Sequence, residues 1–261
     1  MKNLEGKHIR SSVKNHVGWL EFDRPNVNAF HSEMVQEVIA ALRNFEADVS
    51  VRVIVLASAL DKHFSAGAEL STFVDIGEEG MAELCDLLHE IVYCIRNSKK
   101  PMLAAIHGIA VGGGLEMTLH CDVRFAAEDT RLGQPEVNIN FIPPVGATQA
   151  LARLIGRPRA LKYLFDGKLL DAEEALALGL IDELVRAEDL RSRVQSYAES
   201  LCEKPPEALA SIRRSIIEGG GLCFDEGLQL EREEVINLSG SENFKDGVRA
   251  FIEKREPVWR R

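Results

Sequence analysis

The sequence has few cysteines, no long apolar run and fewer basic than acidic residues. No stretch approaches the ~20 apolar residues that span a bilayer, and no signal peptide is evident, so we expect a soluble, cytoplasmic protein without a membrane partner. The formal net charge of −10 argues against nucleic acid as the main partner, because phosphate backbones are bound by dense Lys/Arg surfaces. The cysteines are not spaced as CxxC, which predicts buried, reduced thiols. They are Cys85, Cys94, Cys121, Cys202 and Cys223.

Hydrophobic residues make up 46% of the 261 residues, which is enough for a sizeable core. Near-continuously apolar segments at 51–57, 101–106 and 123–127 are typical of buried parallel strands. Helical spacing predicts helices at 80–97 and from Ser32, with Ser32 as the N-cap. After about residue 150 the pattern is mostly helical. Alternation of strands and helices in the first half predicts an α/β fold.

Three consecutive glycines, Gly112, Gly113 and Gly114, lie between a predicted strand and a predicted helix. Glycine allows a sharp turn and a close approach of a ligand. The first N–H groups of a helix have no intrahelical partner and suit a developing oxyanion. A tight packing turn explains the three glycines equally well. The run fits neither the dinucleotide motif GxGxxG nor a Walker loop, and there is no GxSxG motif.

A second glycine turn, at 63–70, follows another buried strand. The carboxyl ends of neighbouring parallel strands are where ligands bind in α/β folds. Two such turns could supply two converging N–H groups. Glu116 follows Gly113 by three residues, and Glu136 comes one helix and one strand later. Two carboxyls at one site can divide the roles of general acid and general base.

Together these motifs resemble the crotonase superfamily, the enoyl-CoA hydratase/isomerase family, over essentially the whole chain. The matching segments are 64–70 (Phe-Ser-Ala-Gly-Ala-Glu-Leu), 108–116, 121–127 (Cys-Asp-Val-Arg-Phe-Ala-Ala), 132–136 (Leu-Gly-Gln-Pro-Glu), 148–149, 152–156, 175–182 and 251–257. The resemblance implies an α/β fold of repeated ββα units, a crotonase-like superhelix, with a helical C-terminal trimerisation region. It divides the chain into a core at 1–200 and a C-terminal helical oligomerisation region at 201–261. It also implies that the chains assemble as a homotrimer or a dimer of trimers.

The resemblance also implies an acyl-CoA thioester substrate and no cofactor besides the coenzyme A that the substrate carries. By position, the N–H groups of Ala66 and Gly113 form an oxyanion hole. Glu116 takes a proton from the water that attacks C3, and Glu136 supplies the proton at C2. The positions expected to contact the substrate and its coenzyme A are Ser65, Ala66, Ala68, Glu69, Leu70 and Gly113, with Phe251 and Lys254 from a neighbouring subunit.

Three features depart from the family's pattern. The usual Pro-Gly-Ala-Gly-Gly-Thr-Gln stretch, which lines the acyl end of the pocket, reads Pro-Pro-Val-Gly-Ala-Thr-Gln at 143–149. The motif at 24–31 is one residue shorter, and Glu69 replaces the common Asp. His120 lies one helical turn after Glu116, but no third metal ligand is apparent. We therefore expect a structural histidine and no metal site.

The predicted function is hydration of a 2-enoyl-CoA thioester by a hydro-lyase. Two related activities are alternatives. One is hydration of cyclic dienoyl-CoA thioesters of the cyclohexa-1,5-diene-1-carbonyl type, which the segment at 141–145 also fits. The other is Δ3-Δ2 isomerisation of an enoyl-CoA thioester. The isomerase needs one proton shuttle, often at the position of Glu136, so the presence of Glu116 argues weakly against it. Hydrolase and decarboxylase activities remain open. A hypothesis of another class is a non-catalytic RNA-binding scaffold on the same fold, which the net charge of −10 disfavours.

Overall fold

The computed structural model describes residues 6–259, so the outer ends of the two predicted regions, 1–5 and 260–261, lie outside the described residues. The strands are β1 (Ile9–Lys14), β2 (Val17–Phe22), β3 (Val53–Ser58), β4 (His63–Ser65), β5 (Met102–Ile106), β6 (Ile109–Val111), β7 (Val123–Ala127), β8 (Arg131–Gly133), β9 (Leu169–Asp171) and β10 (Glu183–Val185). The helices are α1 (Ser32–Ala47), α2 (Gly77–Arg96), α3 (Gly113–Thr118), α4 (Ala147–Leu154), α5 (Arg157–Asp166), α6 (Ala172–Leu178), α7 (Leu190–Cys202), α8 (Pro206–Gly219), α9 (Phe224–Ser239) and α10 (Glu242–Glu253).

The strands form two sheets. The larger has the order β1-β2-β3-β5-β7-β10, in which β1 and β2 are antiparallel and the following pairs are parallel. The smaller has the order β4-β6-β8-β9. The pairs β3–β4, β5–β6 and β7–β8 each contribute one strand to the large sheet and one to the small sheet, whereas β1 and β2 both lie in the large sheet. Helix α2 follows the β3–β4 pair, and α3 follows the β5–β6 pair. The predicted α/β fold of ββα units is therefore confirmed.

The central strands β3 and β5 of the large sheet are buried on both faces. Alternate residues of a strand point to opposite sides of the sheet. Ile54 and Leu56 of β3 join the core formed with α1, α2 and α3. Val53 and Val55 of the same strand join a second cluster, which α7 covers. This two-sided burial explains why the predicted strands read as continuous apolar runs.

The sequence prediction missed the small sheet, whose three-residue strands lie among glycines and turns. The predicted N-cap Ser32 is also wrong by one residue. His31 is the N-cap, and its Nδ1 accepts the N–H of Met34 at 3.1 Å. No disulfide joins the cysteines of residues 6–259. The prediction of buried thiols holds for Cys121 and Cys202, but Cys85 and Cys94 are half-buried and Cys223 is exposed.

Helices α8, α9 and α10 lie within the predicted C-terminal region. Arg213 of α8 ties this region to the core. Its Nε donates to Asp122 Oδ2 at 2.7 Å, and its Nη atoms donate to the carbonyls of Ile95, Arg96 and Ser98 near the end of α2. None of the helices described between residues 6 and 259 is long and apolar enough to cross a membrane.

Candidate active site

The predicted glycine turn lies between β6 and α3. Gly112 has a φ of 53°, in the left-handed region that favours glycine, and Gly113 begins α3. A Cβ on Gly112 would lie 2.9 Å from Glu136 Oε1 and 3.4 Å from the Cα of Gly67. The two predicted turns therefore meet backbone to backbone, and side chains at their contact would block the approach of Glu136.

The turn at 65–69 is held by buried hydrogen bonds. Ser65 Oγ donates to Asn28 O at 2.8 Å and accepts from Gly67 N at 3.0 Å. Arg24 donates to Glu69 Oε2 at 2.7 Å. A side chain at Gly114 would overlap Ser65, so α3 can pack on this turn only because residue 114 has no Cβ.

The structure changes the assignment of one predicted oxyanion donor. The N–H of Ala66 donates to Val27 O at 2.9 Å, so it is already used within the fold. A bridge between Phe30 and Ala68 uses the carbonyl of Gly67 and the N–H of Glu69. Within residues 6–259, the N–H groups of Ala68 and Gly113 make no hydrogen bond, and both residues line one cavity. Ala68 therefore replaces Ala66 as the candidate donor beside Gly113.

Glu116, in the first turn of α3, is fully buried. Its Oε2 accepts from Val145 N at 2.8 Å and from Ala147 N at 3.0 Å, while Oε1 has no partner in the described part of the chain. Burial raises the pKa of Glu116 to about 8, against the lowering effect of these two N–H donors.

Glu136 begins the 3-10 helix Glu136–Ile139 and is 9% exposed. Burial raises its pKa to about 7. The side-chain amide of Gln134 lies 3.1 Å from both carboxyl oxygens when its nitrogen faces them, so it can donate to either. The negative charge of Glu136 also raises the pKa of Glu116. Such a pair can hold one proton and one charge near neutral pH, as general acid and base chemistry requires.

The raised pKa values predict how stability depends on pH. Both carboxyls keep protons in the folded state that they lose near pH 4.5 when unfolded. The folded state therefore binds more protons between about pH 4.5 and pH 8, and the free energy of unfolding falls as the pH rises through this range. We expect Glu116→Gln to flatten this fall and to stabilise the protein at pH 8. Urea denaturation of both proteins at pH 5, 6.5 and 8 measures the difference. Parallel curves for the two proteins would contradict the raised pKa of Glu116.

A cavity of about 230 Å³ lies over both turns. Its polar end has Ala68, Gly113 and Glu136, and its walls are mainly apolar. The apolar lining includes Val35, Leu88, Ile91, Met117, Phe141 and Val145. No lysine or arginine of residues 6–259 lines this cavity. The cavity can therefore hold an apolar group with its polar atom at the two free N–H groups.

The remaining predicted contact residues lie in different parts of the structure. Leu70 lines the cavity beside Ala68. Ser65 is fully buried and does not line it, and its hydroxyl holds the turn. The carboxylate of Glu69 is paired with Arg24. Phe251 lies at a separate apolar cavity among the C-terminal helices, and Lys254 ends α10, so neither lines the site in a single chain.

Two histidine positions bear on the expectation of no metal. His120 Nε2 contacts Val145 O at 2.8 Å and makes no contact with Glu116, so the metal pair considered from sequence does not form. His8, His31 and Glu33 bring potential ligand atoms within 4.8 Å of one another. However, Nδ1 of His31 accepts the N–H of Met34, so in the neutral ring Nε2 carries the hydrogen and cannot bind a metal.

Sequence reasoning missed three functional features of the site. The first is Gln134, which faces Glu136. Its position in the motif at 132–136, together with Glu136, is the sequence signal that could have identified it. The N–H groups of Val145 and Ala147 hold Glu116, and they belong to the segment that departs from the family's pattern. The free N–H of Ala68 has no signal in the sequence, because it depends on the bridge to Phe30.

Comparison with known proteins identifies the family of the chain. The enoyl-CoA hydratase/isomerase family model matches residues 12–261. A short-chain-enoyl-CoA hydratase of Clostridium acetobutylicum is 31% identical over 254 residues, which cover 97% of each chain. A Bacillus subtilis protein named "Probable enoyl-CoA hydratase" is 34% identical, covering 97% of this chain and 98% of that protein. A crystal structure of an enoyl-CoA hydratase from Geobacillus kaustophilus superposes with a TM-score of 0.96 at 30% identity, covering 99% of this chain and 98% of that one. The chain belongs to the enoyl-CoA hydratase/isomerase family.

Proposed function

We propose that the protein is a hydro-lyase that adds water across the double bond of a 2-enoyl-CoA thioester. The observation that carries this proposal is the pair of buried carboxyls, Glu116 and Glu136, with raised pKa values beside two unpaired N–H groups. The relatives named as enoyl-CoA hydratases support the same reaction.

In the proposed reaction the thioester oxygen accepts from the N–H groups of Ala68 and Gly113. Glu116, as the base, takes a proton from water while the water oxygen bonds to C3. The electrons of the double bond move toward the thioester as an enolate, and Glu136 delivers its proton to C2. Two donors aimed at this oxygen stabilise the enolate, and one such donor contributes on the order of 3 kcal/mol in other enzymes.

The activity is tested with a panel of linear, branched and cyclic enoyl-CoA esters, following the loss of absorbance of the conjugated thioester. Hydration of crotonyl-CoA or a longer linear ester is the expected result. Turnover of a cyclic dienoyl-CoA alone would replace the proposal with the cyclic hydratase. Conversion of a 3-enoyl-CoA without hydration of its 2-isomer would replace it with the isomerase. No turnover together with a salt-sensitive shift of RNA would favour the scaffold hypothesis.

We also propose that the chain assembles as a homotrimer or a dimer of trimers through its C-terminal helices. Helices α9 and α10 leave large apolar side chains in contact with solvent in the single chain, including Phe224 at 80% and Phe251 at 87% exposure. Such a surface is typical of an interface. The assembly would also bring Phe251 and Lys254 toward the substrate of a neighbouring subunit.

The assembly predicts a mass of three or six chains in sedimentation equilibrium. Phe251→Ser removes one of the most exposed apolar side chains and is expected to shift the population toward single chains. Val49→Ser is the matched control, because Val49 is 86% exposed and lies outside the C-terminal helices. A monomeric wild-type protein would contradict the assembly without affecting the proposed reaction.

A further inference from the structure

His120 and the segment at 145–147 form a connected arrangement behind Glu116. His120 is 6% exposed, and its Nε2 lies 2.8 Å from Val145 O. The N–H groups of Val145 and Ala147 both reach Glu116 Oε2. The peptide that joins residues 145 and 146 therefore lies between the two peptides that bind the carboxyl. A hydrogen bond to the carbonyl of Val145 therefore sets the orientation of the two neighbouring peptides, whose N–H groups bind Glu116.

Gly146 makes this geometry possible. Its φ of 85° is in the left-handed region, where a side chain would be strained. The turn aims the N–H groups of residues 145 and 147 at one acceptor, as backbone anion sites do. A Cβ at residue 146 would lie 3.0 Å from His120 Nε2, so the absence of a side chain also lets the histidine approach.

His120 is a fixed donor at neutral pH. Val145 O is an acceptor, so Nε2 must carry the hydrogen. Burial, with a smaller contribution from the nearby charge of Arg96, lowers the pKa of His120 to about 4, so the ring stays neutral. Nδ1 has no partner among the described residues. His120 lines a second cavity, and the charged residues that line it too are Arg96, Asp122, Arg124, Arg153 and Arg213. The charge that acts on Glu116 comes from Glu136.

We propose that His120 is a positioning residue for Glu116: its Nε2–H fixes the carbonyl of Val145, and this keeps two N–H groups aimed at Oε2 of the carboxyl. His120 touches neither the cavity over the glycine turns nor Glu116 itself, so it acts only through the turn. Its effect on the rate rests on the proposed hydratase function. Its effect on the titration of Glu116 does not.

The test compares His120→Met, which keeps the volume without a donor, with His120→Gln, which keeps an N–H. The titration of the Glu116 carboxyl is followed by infrared difference spectra of each protein against its Glu116→Gln counterpart. Loss of the donor should loosen the turn and raise the pKa of Glu116 by about one unit, because hydrogen bonds to the charged form weaken. The kcat for hydration should fall about tenfold, with KM unchanged, and His120→Gln should recover most of both properties.

Thr118→Val is the control for damage to α3, because Thr118 is fully buried and its Oγ1 donates within the helix to Leu115 O. A folded His120→Met protein whose Glu116 titrates as in wild type would overturn the proposal. If that variant does not fold, Gly146→Ala disturbs the same contact from the other side. It should raise the same pKa, and an unchanged titration there is equally decisive. A wild-type protein that hydrates no thioester defeats the proposed function alone, because the infrared titration needs no substrate.

Discussion

Replacing either buried glutamate by glutamine is expected to reduce hydration of a 2-enoyl-CoA by about 10²–10⁴-fold, the usual contribution of a positioned acid or base. Glutamine keeps the shape of the side chain but cannot exchange a proton. In Glu116→Gln the amide oxygen can still accept from Val145 and Ala147, so the fold is preserved. The measurement is kcat with crotonyl-CoA, together with binding of the hydroxyacyl-CoA product by calorimetry. Binding should persist in both variants.

Glu173→Gln is the matched control, because Glu173 is exposed on α6 and lies outside the site. It should leave the rate unchanged. The two active-site variants also distinguish hydration from isomerisation. An isomerase that uses Glu136 alone would keep its rate with a 3-enoyl-CoA in Glu116→Gln. Full hydration activity in both glutamine variants would rule out the two-glutamate mechanism.

Replacing Arg213 by alanine is expected to destabilise the protein by about 3–5 kcal/mol, as removal of one partner from a buried ion pair does elsewhere. The change leaves Asp122 without its cation and removes the donor for three carbonyls near the end of α2. The side chain of Arg213 is only 6% exposed, so water cannot replace these bonds without opening the contact. The measurement is the midpoint and slope of urea denaturation.

Arg186→Ala is the control for loss of an arginine ion pair at the surface. Arg186 pairs with Asp189 in solvent, so its removal should change the midpoint little. Denaturation at two protein concentrations separates the effect on the chain from any effect on assembly, because only assembly depends on concentration. Equal midpoints for Arg213→Ala and wild type would show that α8 is held by its apolar contacts alone.

The sequence predicts β3, β5 and β7 of the large sheet well because these strands are buried on both faces and are therefore almost continuously apolar. It does not predict β4, β6 and β8, because strands of three residues among glycines show no alternating pattern. Their pairing comes from contacts that the folded ββ units make with one another. The small sheet is therefore a product of the fold more than of local preference.

The candidate site shows the same division. Glu116, Glu136 and Gly113 were recognised because their residue types carry the chemistry. The choice between Ala66 and Ala68 depends on which N–H is used in pairing, and both residues are alanine. In the structure Val27 takes one N–H, and the bridge at Phe30 leaves the other free. Backbone donors of this kind are decided by tertiary contacts that no side-chain pattern records.

Burial raises the pKa values of the two carboxyls to about 8 and about 7. Both values lie near neutral pH, so a single proton can rest on either glutamate. Hydration begins with this proton on Glu136 and ends with it on Glu116. Dehydration begins from that second arrangement and returns to the first. Under the proposed mechanism, each turnover therefore leaves the site prepared for the reverse reaction. The concentrations of enoyl and hydroxyacyl thioester, and not the acidity of the protein, then set the direction of net flux.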